Sequence, residues 1–485
     1  MRTFLILCIQ LLFLYNTHAQ KHDYNWVMGY EDFVNPDPEW GGLIMDFNTT
    51  PPSFHKVTTH LNFNAFGVSC SDSSGNLLFY SNGIRIYNKQ HTLMENGDTI
   101  NPGTLWGQWE FWGYASPAGG LCIPVPGKPK HYYMLHHAFV YEPTIIGNIP
   151  LYYTLVDMNA NNGLGKVLKK NVVLLDELVE TPIAIKHGNG RDWWLIVGKW
   201  GGSSGATVFL IDEFGIHNTG VQDLGPIPAL WEGGQIEASQ DGNQIVRGQY
   251  SDGARFFDFN RCTGELGNMR FIPRRISRSA SHFSPDSKRV YAQTQRVMNT
   301  LDLTVIDTTI IADTLIHHNW YTDGGPPFYT TLGFGQMGPD GKLYFNQGTS
   351  TTTLHVINRP NLPGLASDIE LNGVTLTRLN ESTTFNLPNY RLGEWEDSPC
   401  DTINLQMPGD GFVRTWYESV RWLPAVQAHR AATPLEDTPS AESWEDDPLN
   451  LINISIKAIH NIPPTPAQVR QNMEKASKKK GHEKE

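Results

Sequence analysis

The sequence predicts an all-β protein, specifically a β-propeller of seven blades that is closed by its N- and C-terminal strands. Short β-prone segments fill most of the chain, and turn signals separate them at intervals of roughly 45 to 60 residues, about the length of a propeller blade. No long amphipathic helix interrupts the series. Forty-five glycines and an aromatic content of 11 % suit many short strands joined by tight turns.

The recurring turn signals are clusters of Asp, Asn, Gly, Pro and Ser. Such clusters favour the positive φ angles that a two-residue hairpin turn requires. They precede β-prone strands at residues 71–76, 126–130, 188–191, 239–243, 284–287 and 338–342. We therefore expect a hairpin at each of these positions.

Most of these hairpins are followed by one more strand, which ends at or near an acidic or amide residue. These residues are Asp157, Asp212, Asp258, Asp307 and Asn358. A sheet built from one such unit cannot bury both of its faces, whereas several sheets stacked around an axis can. A pair of β-sandwiches is the alternative architecture. The long and regular period favours the propeller.

The seventh blade is predicted to combine the two ends of the domain. Six units lie between residues 62 and 375, and strand-like segments remain at residues 42–47 and after Asn386. If these two segments share a sheet, the ring closes and exposed sheet edges are removed.

The N-terminal segment has the pattern of a secretory signal peptide. Arg2 precedes an apolar run from Phe4 to Tyr15, and Ala19 is a small residue at a cleavage position. The alternative is a membrane anchor, but this run is shorter than the ~20 residues that span a bilayer. We predict a signal peptide at residues 1–19 and an exported protein, located at the cell surface, outside the cell or in the periplasm.

The remaining chain is divided into a propeller domain at residues 20–425 and a polar, largely disordered tail at residues 426–485. A short helix is predicted near residues 465–476, before a basic end at residues 478–480. The chain has 37 basic and 49 acidic residues and a net charge of −12, which argues against nucleic acid as a partner. We expect no transmembrane segment after signal cleavage.

Four cysteines remain after the predicted cleavage: Cys70, Cys122, Cys262 and Cys400. In an exported protein they could form disulfides in any of three connectivities. Buried free thiols are an equal alternative, because four cysteines in so long a chain do not make a disulfide framework.

Several motifs in order resemble those of one known family. They lie at residues 42–48, 71–83, 94–97, 152–158, 165–167, 257–264, 283–286 and 387–390. Over residues 26 to 400 the chain resembles the WD40-like, N-terminal propeller of surface proteins associated with gliding motility and type IX secretion. The resemblance implies a surface module without a shared catalytic residue. Family members usually continue into a C-terminal sorting domain, whose pattern this chain lacks, so a periplasmic location is the other expectation.

A loop rich in aromatic residues is the candidate binding site. Its aromatic residues are Trp106, Trp109, Phe111, Trp112 and Tyr114. Aromatic side chains offer a large contact area at a low entropic cost, so the loop could stack on a sugar ring or an apolar peptide side chain. The alternative is that these rings cover a blade edge or fill the surface of the propeller.

Four threonines follow an aspartate in a pattern that resembles the O-glycosylation acceptors of exported relatives. They are Thr99, Thr308, Thr314 and Thr402. Threonine is also common at strand ends, so this explanation and glycosylation are alternatives.

The sequence gives no basis for a catalytic, cofactor or metal site. Adjacent histidines, such as His136 and His137, point to opposite faces of a strand and do not easily share a metal ion. We therefore predict a module that binds a glycan, a peptide or an envelope protein. A hydrolase of extracellular polymers and a structural component of an envelope assembly are the alternatives, since propeller enzymes assemble their sites from separate loops.

Overall fold

A computed structural model describes residues 20–32, 39–142, 145–199, 205–224, 235–249, 253–273, 280–293, 297–304, 313–317, 331–380, 383–395 and 400. In these ranges the chain forms 26 strands arranged as seven antiparallel sheets, which are the blades of a seven-bladed β-propeller. The predicted fold class is therefore confirmed. Among the described residues, no helix is long and apolar enough to cross a membrane.

The blades follow one another along the chain. Blades one and two have three strands each: β1 (Asn25–Gly29), β2 (Gly42–Asp46) and β3 (Ser53–Val57), then β4 (Val68–Ser71), β5 (Leu77–Ser81) and β6 (Ile86–Asn88). Blades three and four have four: β7 (Gly120–Pro124), β8 (His131–Glu142), β9 (Ile145–Asp157) and β10 (Lys166–Leu175), then β11 (Ile183–Lys186), β12 (Trp193–Gly198), β13 (Gly205–Asp212) and β14 (Gly215–Asp223).

Blades five to seven also have four strands each. They are β15 (Ile236–Ala238), β16 (Gln244–Gln249), β17 (Gly253–Phe259) and β18 (Leu266–Pro273); β19 (Ala280–Phe283), β20 (Arg289–Gln293), β21 (Val297–Asp302) and β22 (Asp313–His317); and β23 (Gly335–Met337), β24 (Leu343–Phe345), β25 (Thr351–Ile357) and β26 (Ile369–Asn380). One short helix, α1 (Trp106–Trp109), and two 3-10 turns, Asn161–Gly163 and Gly364–Ser367, complete the regular structure of the described residues.

The six predicted hairpins connect the first two strands of blades two to seven. In the turn after β4, the Asp72 carboxylate accepts hydrogen bonds from the backbone N–H groups of Ser74 and Asn76, both at 2.9 Å. Gly242 and Gly341 occupy the equivalent turns of blades five and seven with φ angles of +73° and +78°. Residues with a side chain rarely adopt such angles, which explains why glycine occupies these two positions.

The hydrophobic core lies between the blades. Successive side chains of a strand point to opposite faces, so each central strand contributes to two interfaces. On β12, Trp193 and Leu195 pack towards blade three, whereas Trp194 and Ile196 pack towards blade five. Seven hydrophobic clusters result among the described residues, one for each pair of neighbouring blades.

The ring closes where blade one packs against blade seven. Trp26 and Met45 of blade one share a cluster with Tyr344 and Leu376 of blade seven. The prediction of a shared sheet is wrong for the described residues, because β2 lies between β1 and β3 in a sheet made entirely by the N-terminal part of the chain. The two blades therefore close the ring without sharing a sheet: their side chains pack together, and the backbone N–H of Leu379 in β26 donates a hydrogen bond of 2.7 Å to the Glu39 carbonyl.

The chain after the last blade runs along the centre of the ring. We call residues 383–395 the central segment. Thr384 accepts a hydrogen bond from the backbone N–H of Ala118 and donates one to the carbonyl of Ala65, both at 2.5 Å. Asn386 donates to the carbonyl of Pro182 at 2.6 Å, and Asn389 to that of Gln240 at 2.7 Å.

The end of the central segment is held by charged and covalent contacts. The Arg391 guanidinium makes two hydrogen bonds of 2.9 Å to the Asp23 carboxylate, which is buried near the start of blade one. Cys262 and Cys400 form a disulfide, which settles one pair of the four cysteines. Cys70 and Cys122 lie outside this disulfide and are both buried. The predicted signal peptide and the tail beyond residue 400 lie outside the described residues and stay predictions.

Candidate functional site

The aromatic loop connects blade two to β7, and its first two tryptophans are anchored. Trp106 and Trp109 lie on the single turn of α1, half-buried against the core between blades two and three. The Arg85 guanidinium lies 5.7 Å from the centre of the Trp106 ring and forms an ion pair with Glu110. These contacts fix the start of the loop to the body of the propeller.

Phe111 and Trp112 project from the same loop into solvent. Their exposed fractions are 46 % and 52 %, and their rings meet edge to face with centroids 4.8 Å apart. The backbone beneath them is fixed, because Asn62 donates a hydrogen bond of 2.9 Å to the Phe111 carbonyl. Gly113 follows at φ +84°, and a Cβ atom there would lie 2.5 Å from the Asn62 carbonyl oxygen. We call these two residues the aromatic pair.

Tyr114 closes the loop from inside the core. Its side chain is almost fully buried, and its hydroxyl accepts a hydrogen bond of 3.1 Å from the backbone N–H of Phe139. Burial raises the pKa of this phenol above its usual value. The five aromatic residues of the loop therefore divide into three that anchor it and two that a ligand could reach.

The glycosylation candidates are only partly described. Thr99 is half-buried, with φ +54°, and its carbonyl accepts a hydrogen bond of 2.8 Å from Asn171. Thr314 is the second residue of β22. Thr308 and Thr402 fall outside the described residues, so the glycosylation pattern stays a prediction.

A cleft of about 1050 Å³ lies between the outer strand of blade four and the turns of blade five. Trp395 and Val221 line it with exposed fractions of 36 % and 56 %, and Asp241 and Asn243 are among its polar residues. Gln222 joins the two walls through hydrogen bonds to Gly264 and Leu266, both 2.8 Å long. We call this concavity the outer cleft.

Two pairs of ionisable side chains lie between neighbouring blades. Glu180 forms an ion pair with Arg247 between blades four and five, and both side chains are at least nine-tenths buried. His282 lies 2.6 Å from Glu237 between blades five and six. Burial raises the pKa of Glu180, while the Arg247 guanidinium lowers it. Because Glu180 is engaged and enclosed, it does not present a free carboxyl group to a cleft.

The described residues do not support a metal centre. None of them form a group of three or more His, Cys, Asp or Glu side chains that could hold a metal ion. His136 is enclosed between Asn101 and Thr154, at 2.6 and 2.8 Å from its two ring nitrogens. It therefore serves as a hydrogen-bonded core residue in this arrangement.

Sequence reasoning missed the outer cleft and the buried ion pair. The partners in each are far apart in the chain: Glu180 and Arg247 are separated by 67 positions, and Trp395 faces residues of blades four and five. Only the order of the blades around the ring brings such residues together. Trp395 had one local signal, since an isolated tryptophan in a polar segment is unusual on a surface.

Comparison with solved structures finds proteins that match this chain in structure at low sequence identity. A candidate 6-phosphogluconolactonase from Bacteroides uniformis is 10 % identical over 73 % of this chain and 96 % of that one, with a TM-score of 0.45. The β-propeller domain of Cps50 (Swd1) from Myceliophteria thermophila is 11 % identical over 64 % and 88 %, with a TM-score of 0.35. TolB from Acinetobacter baumannii is 9 % identical over 70 % and 61 %, with a TM-score of 0.30.

Likeness at this level concerns the fold and carries no substrate or partner to this chain. No protein-family model matches the sequence, and no curated protein matches it. The resemblance to gliding-motility propellers therefore stays a prediction.

Proposed function

We propose that this chain is an exported binding module and that the aromatic pair, Phe111 and Trp112, stacks on the ring of a neutral sugar in a surface glycan. One observation carries the proposal: two large aromatic rings stand side by side in solvent on a loop whose other aromatic residues are anchored. A rigid backbone lowers the entropy lost when a ligand binds. Apolar side chains that adjoin one another on a surface can mark an interaction site, whereas single exposed ones are ordinary.

The export part of the proposal is supported by the apolar N-terminal run and by the Cys262–Cys400 disulfide, since disulfides persist in oxidising compartments. An apolar side chain of a peptide or an envelope protein is the other class of ligand that the pair could receive.

The test compares three variants on an array of neutral oligosaccharides and on an array of peptides. We expect Phe111→Ala/Trp112→Ala to weaken glycan binding by about tenfold or more, because loss of a stacking ring costs roughly 1–3 kcal/mol. The melting temperature should stay unchanged, since both side chains are about half-exposed.

Two single variants serve as controls. Trp395→Ala removes the exposed ring of the outer cleft and should leave glycan binding at the aromatic pair intact. Trp106→Ala should lower the melting temperature instead, because this ring packs against the core. Unchanged glycan binding by the double variant would contradict the proposal. Loss of peptide binding alone would mean that the ligand of the aromatic pair is a peptide instead of a glycan.

A further inference from the structure

The two cysteines outside the disulfide lie against each other in the core. Cys70 belongs to β4 and Cys122 to β7, the inner strands of blades two and three. Their Sγ atoms are 2.7 Å apart, and each residue is only 1 % exposed. A disulfide bond is about 2.05 Å long, whereas unbonded sulfur atoms stay much farther apart than 2.7 Å because their electron shells repel.

We propose that Cys70 and Cys122 form a second disulfide in the mature protein and that this bond joins blades two and three. The Cys262–Cys400 bond leaves this as the single remaining pairing of the four cysteines that follow the predicted signal peptide. The two bonds would then tie different parts of the ring: Cys70–Cys122 links consecutive blades, and Cys262–Cys400 fastens the chain beyond the central segment to blade five.

The bond forms by thiol–disulfide exchange with a donor disulfide, such as that of an oxidised protein dithiol. One cysteine thiolate attacks the donor and displaces one donor sulfur, giving a mixed disulfide. The second thiolate attacks the protein sulfur of that bond and displaces the other donor sulfur. Cys70 and Cys122 each lose a proton, two electrons pass to the donor, and the donor leaves as a dithiol.

The position of the pair dictates when this exchange takes place. Burial raises the pKa of Cys70 far above its usual value, so the folded protein holds almost no thiolate at this site. A donor also cannot reach side chains enclosed by Phe79, Tyr132 and Met134. Exchange must therefore precede the closing of blades two and three, and the finished bond is shielded from reductants.

The experiment counts thiols in unfolded protein. The full chain is produced by export to a bacterial periplasm, purified without reductant, unfolded in guanidinium chloride with N-ethylmaleimide, and digested for mass spectrometry. We expect no label on Cys70 or Cys122 and a peptide pair linked through these two residues. After reduction, both residues should be labelled.

Cysteine variants give a second test that does not rely on identifying the linked peptides in the wild-type protein. Cys70→Ala should leave one labelled thiol at Cys122, whereas Cys262→Ala/Cys400→Ala should leave the Cys70–Cys122 peptide pair intact. Labelling of both Cys70 and Cys122 in the unfolded wild-type protein would overturn the proposal, and so would a bond from either residue to Cys262 or Cys400. Neither result depends on whether the aromatic pair binds a glycan.

Discussion

His136 and His137 are two buried residues that make the stability of the fold depend on pH. Both lie on β8 and are completely buried. Burial lowers the pKa of His136 to about 3 and that of His137 to about 4, because a charged imidazolium loses its hydration in the core. Both residues are therefore neutral in the folded protein over the whole physiological range.

This burial predicts a loss of stability in mild acid. In the unfolded chain both histidines become protonated below pH ~6.5. In the folded chain His137 becomes protonated only near pH 4 and His136 only near pH 3. Their contribution is thus complete above pH ~6.5 and declines as the pH falls, by about 1.4 kcal/mol per pH unit for each histidine. Urea unfolding between pH 7.5 and pH 4.5 should show this slope.

The variant His137→Gln isolates one of the two residues. It removes one titrating group, so the slope of unfolding free energy against pH should decrease by about 1.4 kcal/mol per unit. Equal slopes for the variant and the wild type would show that His137 does not titrate in this way.

Part of this residue-level picture could be predicted from sequence. Adjacency on a strand placed His136 and His137 on opposite faces and argued against a shared metal ion. The hydrogen bond from His136 to Asn101 could not be predicted, because it joins a strand to a loop 35 positions earlier. Which polar residues become enclosed depends on blade packing that no local pattern encodes.

The hairpin turn between the first two strands of a blade recurs in blades two to seven. Gly242 and Gly341 have nearly the same φ angle in equivalent turns, but their surroundings differ. A Cβ atom at Gly242 would lie 2.7 Å from Leu392 of the central segment, whereas the nearest atom to one at Gly341 is 3.9 Å away on Pro285. The turn of blade five therefore carries a packing role that the turn of blade seven does not.

Alanine at these two glycines separates backbone strain from packing. We expect Gly341→Ala to cost about 1–2 kcal/mol, the strain of a left-handed conformation. Gly242→Ala should cost roughly 1–3 kcal/mol more, because its methyl group also displaces Leu392. Free energies of unfolding from urea titrations provide the comparison. Equal losses of unfolding free energy in the two variants would mean that Leu392 can move away from the added methyl group without cost.

Element-level prediction succeeded for turns and failed to sort the aromatic loop. Turns carry their conformation in a few residue types, so clusters of Asp, Asn, Gly, Pro and Ser predicted the hairpins correctly. The division between Trp109, which packs inward, and Trp112, which faces solvent, depends on the single turn of α1 and on Gly113. A segment of closely spaced aromatic residues does not reveal where such a turn begins.

At the scale of the whole molecule, the central segment connects the start of blade one to the inner ends of other blades. Its contacts reach the inner ends of six blades, from Asp23 at blade one to Gln336 at blade seven. The bond between Arg391 and Asp23 is the charged contact among them. Asp23 is only 3 % exposed in this pair and Arg391 is 29 % exposed.

Removing the charge at Asp23 should therefore loosen both ends of the domain at once. We expect Asp23→Asn to lower the free energy of unfolding by about 3 kcal/mol, because it leaves a largely buried guanidinium unpaired. Asp98→Asn breaks the exposed pair with Lys170 and should change stability by no more than about 0.5 kcal/mol. A loss for Asp23→Asn as small as that of the control would contradict the anchoring role.

Six of the seven blades were predictable because each has its own turn signal, but the composition of blade one and the mode of closure were not. Segment 42–47 looked like half of a blade, since its partners β1 and β3 carry weaker strand patterns than the six internal units. The path of the central segment has no local signature either, because its contacts go to carbonyl groups from most of the ring.

The central segment also fixes an order of assembly. It follows all seven blades in the chain, and its binding surface consists of their inner ends, so that surface exists only once the blades have come together. A chain that folds as it is synthesised from its N-terminus therefore builds the ring around an open axis and fills that axis last. Until residue 395 has been synthesised, we expect the ring to be less stable than the finished domain, because the contacts of the central segment are still missing.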